Sequence, residues 1–283
     1  MKKFLLTIAP VAAALALTGC FQSETTINVK ADGSGTIVDE TTLGAQMSAM
    51  LGGLGGLGGD DAKQPAKDPM DEMFGADKAK EKATQMGEGV TLDKVEKIDK
   101  DGKKGARVTY KFADINKVKI NPDQAASGMD KGLGGGEAGA QIDKAKKKAK
   151  PITFRLAAGT LTVNMPRPEE KDKPAKVAVD KPAPEGDKPD AQGEQMMKAM
   201  FADMKIGIHV VVEPGIAKTD ATHVAGNKIT LVEMNFGELM ANPEGLKAIQ
   251  KMEGKKPEEI AAAVKGIKGV KMEPKDKITA KLK

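Results

Sequence analysis

Cys20 is the only cysteine in the 283-residue chain, and a thiolate is the strongest nucleophile a side chain offers near neutral pH. Such a thiol can accept a carbon substituent, ligate a soft metal or join a disulfide, and with no second cysteine an internal disulfide is excluded. The two histidines, His209 and His223, have no Asp-His-Ser or Cys-rich grouping around them, so they form neither a triad nor a zinc site. Each reads more simply as a structural or surface histidine. Sixteen methionines are many for this length. Met197, Met200, Phe201 and Met204 recur on one stripe, and soft thioethers can take Cu(I). No His or Cys assists them, and the same spacing makes a core-facing stripe, with an apolar ligand or partner face as the functional alternative. Asp99-Lys-Asp-Gly102 invites a calcium reading but lacks the closing Glu of a calcium loop, which leaves a turn. Phosphate loops and nucleophile elbows are missing, and carboxylate pairs fall in lysine-rich helical stretches. The expectation is therefore no catalytic residue, no metal, no cofactor and no enzyme.

The position of Cys20 narrows its chemistry. Lys2 and Lys3 are followed by an apolar run from Phe4 to Leu17 and then by Leu17-Thr18-Gly19-Cys20. A basic start, a short apolar run and small residues before a cleavage point are the three parts of an export signal. The run is shorter than the ~20 apolar residues that span a bilayer. This segment resembles a bacterial lipoprotein signal. The resemblance implies that residues 1–19 are removed and that Cys20 takes a diacylglycerol and a palmitate-type acyl chain as the mature N-terminus. It also implies a cell-envelope location, lipid-anchored and facing the periplasm or exterior. Phe21 stands where an Asp would favour retention at the inner membrane in enterobacterial lipoproteins. Two or more acyl chains make such anchoring stable, where one is marginal.

Composition limits the rest. The chain carries +5; without Lys2 and Lys3 it has 43 basic and 40 acidic residues, a net +3. Aromatic residues make up 3%, with no Trp, so base stacking has little to work with. Nucleic acid is not an expected partner. The expected partners are the membrane through the Cys20 lipid, a lipid ligand and an envelope protein.

Elements must position these groups. Ile27 and Val29 alternate with polar residues before Asp32-Gly33, a hairpin signal. Residues 106–112 alternate strictly, with Ala106, Val108, Tyr110 and Phe112 on one face. Ile152, Phe154 and Leu156 alternate up to Ala158-Gly159, and Leu161, Val163 and Met165 alternate after it. Residues 206–213 form the most apolar strand, Pro214-Gly215 turns the chain, and a partner strand lies near 229–234. A weaker strand is expected around 216–224 and a closing one at 277–282. Helical spacing runs from Asp71 to Met86, ended by Gly87, and from Glu194 to Met204. Further helices are expected around Leu246 and after Pro257. Low-complexity insertions are expected at about 51–70, 121–150 and 166–193, the second containing a lysine run at 144–150 and the third Lys/Pro-rich. The domain reading is a signal at 1–19, a lipid-anchored domain at 20–235 and a charged helical region at 236–283.

The order of hairpins and helices, Ile27-Asn-Val-Lys-Ala-Asp-Gly-Ser-Gly35 after the anchor, and Val211-Val-Glu-Pro-Gly-Ile216 followed by Gly226-Asn-Lys-Ile-Thr-Leu231 resemble the LppM-type bacterial lipoproteins. That resemblance implies a mixed α+β domain held at the envelope, with an apolar pocket implicated in lipid binding. The chain departs from the family in lacking its C-terminal membrane helix and in carrying three insertions. The expected fold class is α+β: an antiparallel sheet of hairpins covered on one face by amphipathic helices, with disordered insertions. The expected function is a non-enzymatic, membrane-anchored envelope lipoprotein binding a lipid or other apolar ligand; the alternative is a structural or interaction component of an envelope assembly.

Overall fold

The computed structural model describes residues 21–45, 48, 74–100, 102–122, 150–165, 202–242 and 266–283. Strand β1 (Phe21–Val29) and strand β2 (Gly35–Leu43) form a fully paired antiparallel hairpin. Its turn closes through Lys30 N–H to the Ser34 carbonyl at 2.9 Å, and Asp32 Oδ1 accepts from the Ser34 amide at 2.9 Å. Gly33 sits at φ +84°, a conformation that favours glycine. Strand β3 (Thr91–Lys100) and strand β4 (Lys103–Phe112) make the second hairpin, and β4 pairs with β2.

Strand β5 (Lys119–Ile120) pairs with β6 (Ile152–Ala157), and β6 with β7 (Thr160–Asn164), through a turn at Ala158 and Gly159, both at positive φ. Strand β8 (Lys205–Val212) runs parallel to β1. Short strands β9 (Ile216–Thr219) and β10 (Val224–Ala225) precede β11 (Lys228–Asn235), which pairs antiparallel with β8. Strands β12 (Val270–Met272) and β13 (Lys277–Leu282) complete two sheets. The eight-stranded sheet runs β10-β11-β8-β1-β2-β4-β3 with β12 on β11; the five-stranded sheet runs β5-β6-β7-β13-β9.

One face of each sheet is apolar, and the two faces bury each other. Ile27, Val29, Ile37, Phe112, Val210, Val212 and Ile229 of the larger sheet share one core with Ile152, Phe154, Leu161, Val163, Ile278 and Leu282 of the smaller. Helix α1 (Ala76–Gln85) adds Ala79 and Ala83 to that core, and Met86 follows it. Helix α2 (Phe236–Ala241) follows β11, its first turn capped by Asn235 Oδ1 accepting from the Glu238 amide at 3.2 Å.

This corrects the expected fold class. The protein is mostly β, with two sheets and two helices among the described residues, and is not a single hairpin sheet covered by helices. The physical reason lies in the third hairpin and the closing strand. Each has its own apolar face, and a single sheet with helices on one side would leave those faces in water. They form a second sheet instead. The 236–283 region holds helix α2 and strands β12 and β13, which pair with β11 and with β7 and β9.

Helix α1 occupies most of the stretch expected to be helical at 71–86. The signal segment with Cys20, the 51–70 and 166–193 insertions, residues 123–149 of the second insertion, residues 194–201 of the next expected helix, and the helices expected around 246 and 257 lie outside the described residues. No helix of the described residues is long and apolar enough to cross a membrane.

Candidate functional site

Strand alternation decides what β1 shows to each side. Phe21, Ser23, Thr25, Ile27 and Val29 face inward; Gln22, Glu24, Thr26 and Asn28 face outward. The first inward residue, Phe21, lies opposite Leu43, and with Met204 these two form a separate apolar cluster at that end of the sheet. The three are 3%, 2% and 4% exposed. Phe74, Ile206 and Phe236 pack against the cluster and are only partly buried, so they form its rim. Phe236 N–H donates to the Met204 carbonyl at 2.9 Å, which ties the start of α2 to the approach of β8.

Next to this cluster the inward face turns polar. Thr25 Oγ1 donates to Asp39 Oδ1 at 2.7 Å, and the Ser23 and Thr41 hydroxyls lie 3.5 Å apart. Lys82 of α1 brings its ammonium to 2.9 Å from Asp39 Oδ2. That contact is an ion pair without hydrogen-bond alignment, since Asp39 Oδ2 has no aligned donor. Burial, and then the nearby Asp39 charge, push the Tyr110 hydroxyl well above its ordinary titration range. A polar band therefore lies between the end cluster and the main core, and α1 is held across it by charge.

A second constellation occupies the opposite face, on β8 and β11. His209 is fully buried; its Nδ1 is 3.2 Å from the Thr230 hydroxyl, and its Nε2 has no partner and lies 4.0 Å from Glu233. Burial, and then the Lys228 charge, lower its pKa to about 4, so the ring is neutral. Glu233 pairs with Lys271 at 2.7 Å, and Lys205 with Glu24 at 2.6 Å. Burial pushes Glu233 up, but the Lys271 bond and the Lys271 and Lys205 charges outweigh it and hold the carboxyl below its usual value. The bond to Glu24 raises Lys205. Gly207 makes room for the imidazole: a Cβ there would stand 2.7 Å from His209 Nε2. Among the described residues no three His, Cys, Asp or Glu side chains converge to hold a metal ion.

Of the expected apolar face, Met204 is buried at the end cluster, while Met197, Met200 and Phe201 lie outside the described residues, as does Cys20. The structure brings Met204 together with Phe21 and Leu43, which sequence reasoning passed over. Period-two alternation extended back from Ile27 reaches Phe21 and was the available signal. His209 is fully buried with one hydroxyl contact. His223 Nε2 lies 3.2 Å from the Met272 carbonyl, beside Thr222, whose amide and hydroxyl donate to Glu273 at 2.6 and 2.8 Å. These bonds fasten the loop before β10 to the segment between β12 and β13.

Comparison with known protein families and with characterised proteins finds no match for this chain. Among solved structures, the chain is similar to the NMR structure of the folded domain of the Mycobacterium tuberculosis LppM protein. The two share 10% identity over 78% of this chain and 85% of that one, with a TM-score of 0.29. A similarity of that depth assigns neither fold nor ligand.

Proposed function

We propose that this chain is a non-enzymatic lipoprotein of the bacterial envelope, anchored through Cys20, that takes the apolar part of a lipid at the Phe21–Leu43–Met204 end of its larger sheet. One observation carries the reading: Phe21, which follows Cys20 directly, is already packed in an apolar cluster whose rim is only partly buried. Strand β1 begins at Phe21, so no tether of described chain separates the first folded residue from position 20. A domain held that closely presents this end to the acyl layer. Phe74, Ile206 and Phe236 at the rim are its contact surface, and Lys82, partly exposed beside the buried Thr25–Asp39 pair, offers a charged group to a polar head. Apolar side chains with a few placed polar groups are what small-ligand sites use.

Two measurements test this. Palmitate fed to cells making the full chain labels the protein, and Cys20→Ala abolishes the label; labelling of that variant contradicts the anchor. Purified in mild detergent, the full chain captures a photoactivatable phospholipid on peptides carrying Phe74, Ile206 or Phe236. Capture confined to the outward face around Thr26 and His209 contradicts the site.

A further inference from the structure

The inner face of the larger sheet changes character along its strands. Where it meets the smaller sheet, the inward residues of β1 and β2 are Ile27, Val29 and Ile37. Further along the same strands they are Thr25, Ser23 and Asp39, all buried, and Lys82 of α1 reaches Asp39 at 2.9 Å. An apolar floor is costly to uncover in water, whereas hydroxyls and a carboxylate regain hydration. The floor that Lys82 reaches is therefore the part that opens at the smallest cost. A buried polar pair also serves to fix where a helix docks, and the way α1 is fastened decides between the two.

The fastening is one-sided. At the C-terminal end the backbone is pinned. Lys119 N–H donates to the Met86 carbonyl at 2.7 Å, Gly87 bridges to Val118, and a Cβ on Gly87 would stand 2.1 Å from the Lys117 carbonyl oxygen. At the N-terminal end the cap residue is Gly75, with no side-chain bond, so the first amides lack the usual side-chain acceptor. Among the described residues, the ion pairs of 76–81 stay inside the helix, Lys78 with Glu81 and Lys80 with Asp77. Lys82–Asp39 is the one ion pair from α1 to the sheet among them. The buried residues of α1 are Ala79 and Ala83, which remove little apolar surface from water. Its ten residues fall short of the ~12–15 that hold as an isolated helix. Weak contact, one latch and one pinned end describe a segment that opens locally.

We propose that α1 is a lid over the Thr25–Asp39 floor, hinged at Met86 and Gly87, latched by Lys82 on Asp39 and tipped by Phe74. Phe74 packs against both the main core and the Phe21–Leu43–Met204 cluster. Lifting the lid thus draws Phe74 off the rim, admits water to the floor and frees the Lys82 ammonium for the polar head of a lipid. Hinges of this kind sit at element ends, as Met86 and Gly87 do. The motion follows from the fastening of α1; its service to a lipid rests on the function proposed above.

The test uses the full chain, purified in mild detergent from a lipoprotein-processing bacterial host, in which an acylated Cys20 leaves no free thiol. Thr25→Cys puts a thiol on the floor, and Val29→Cys puts one under the smaller sheet on the same strand; the native residues are 5% and 0% exposed. A water-soluble maleimide labels Thr25→Cys at least about tenfold faster than Val29→Cys, because the lid opens locally. Adding Lys82→Met speeds the labelling of Thr25→Cys at least about fivefold, since the latch is gone, and leaves Val29→Cys unchanged. Equal rates at the two sites overturn the lid. Acceleration of both by Lys82→Met reports global unfolding and overturns it as well. Hydrogen exchange of the chain without an introduced thiol gives a second reading. Lys82→Met quickens the amides of α1 and not those of β1 or β8, and joint quickening overturns the lid. Added phosphatidylglycerol slows the labelling of Thr25→Cys at least about fivefold by occupying the opened site. Fast, latch-dependent labelling that phosphatidylglycerol leaves unchanged overturns the lid's service to a lipid. A chain with no introduced thiol that itself takes maleimide at Cys20 marks failure of the anchor reading, and the difference between variants still reads the lid.

Discussion

At the scale of single residues, His209 shows how a buried polar group is accommodated in a sheet. Its ring fills the space left by Gly207, and one nitrogen meets Thr230. The other nitrogen stays unpartnered and neutral, because a charge there would be buried. The folded pKa of about 4 lies below the ~6.5 of an unfolded histidine, so the unfolded chain binds more protons between those values. Stability therefore falls as pH drops from ~6.5 towards 4, by up to about 3 kcal/mol at about 1.4 kcal/mol per unit of pKa. The expected result is that His209→Gln flattens this part of the urea-stability profile relative to the wild type; an unchanged profile contradicts the buried neutral ring. Gly207→Ala forces the ring aside, since its Cβ would come within 2.7 Å of Nε2. Chemical denaturation should show a loss of roughly 1–3 kcal/mol, the usual cost of overpacking.

At the scale of elements, α1 is held to the larger sheet by two small residues and one ion pair. Ala79 and Ala83 allow close approach, and Lys82 reaches Asp39. Lys82→Ala leaves a mostly buried carboxylate with only the Thr25 hydroxyl, at a cost of roughly 1–3 kcal/mol. Adding Asp39→Asn should recover part of that loss, because the uncompensated charge is gone; a double variant weaker than both singles contradicts the pairing. The three hairpins were legible because each carries at least one alternating strand and a turn glycine at positive φ. What the sequence hid was non-local. Nothing near Thr25 announces that β8 will lie parallel to β1 some 180 residues on, opposite Gln22 to Val29. The two-sheet division escaped for the same reason, since β13 joins β7 only through distant pairing. Met204 was legible as apolar, but its neighbours Phe21 and Leu43 come from the far end of the chain.

At the scale of the molecule, the first strand begins at Phe21, directly after Cys20, and on the proposed reading this orders everything else. The apolar end of the larger sheet and its partly buried rim would then meet the acyl layer, with the buried Thr25–Asp39 pair behind them. An acidic residue placed on the rim away from the main core should disrupt the apolar end alone: Phe236 packs on the end cluster and not on the two-sheet core, so Phe236→Asp leaves the two-sheet packing intact and weakens lipid capture. Circular dichroism should remain that of the wild type; loss of both fold and capture would make Phe236 a core residue instead. The measurement that reaches the central claim most directly is native mass spectrometry of the full chain extracted from membranes in mild detergent. The account predicts an N-terminus acylated at Cys20 plus a separate, releasable lipid adduct that Phe236→Asp removes. A protein that carries no adduct, or keeps it in that variant, contradicts the account.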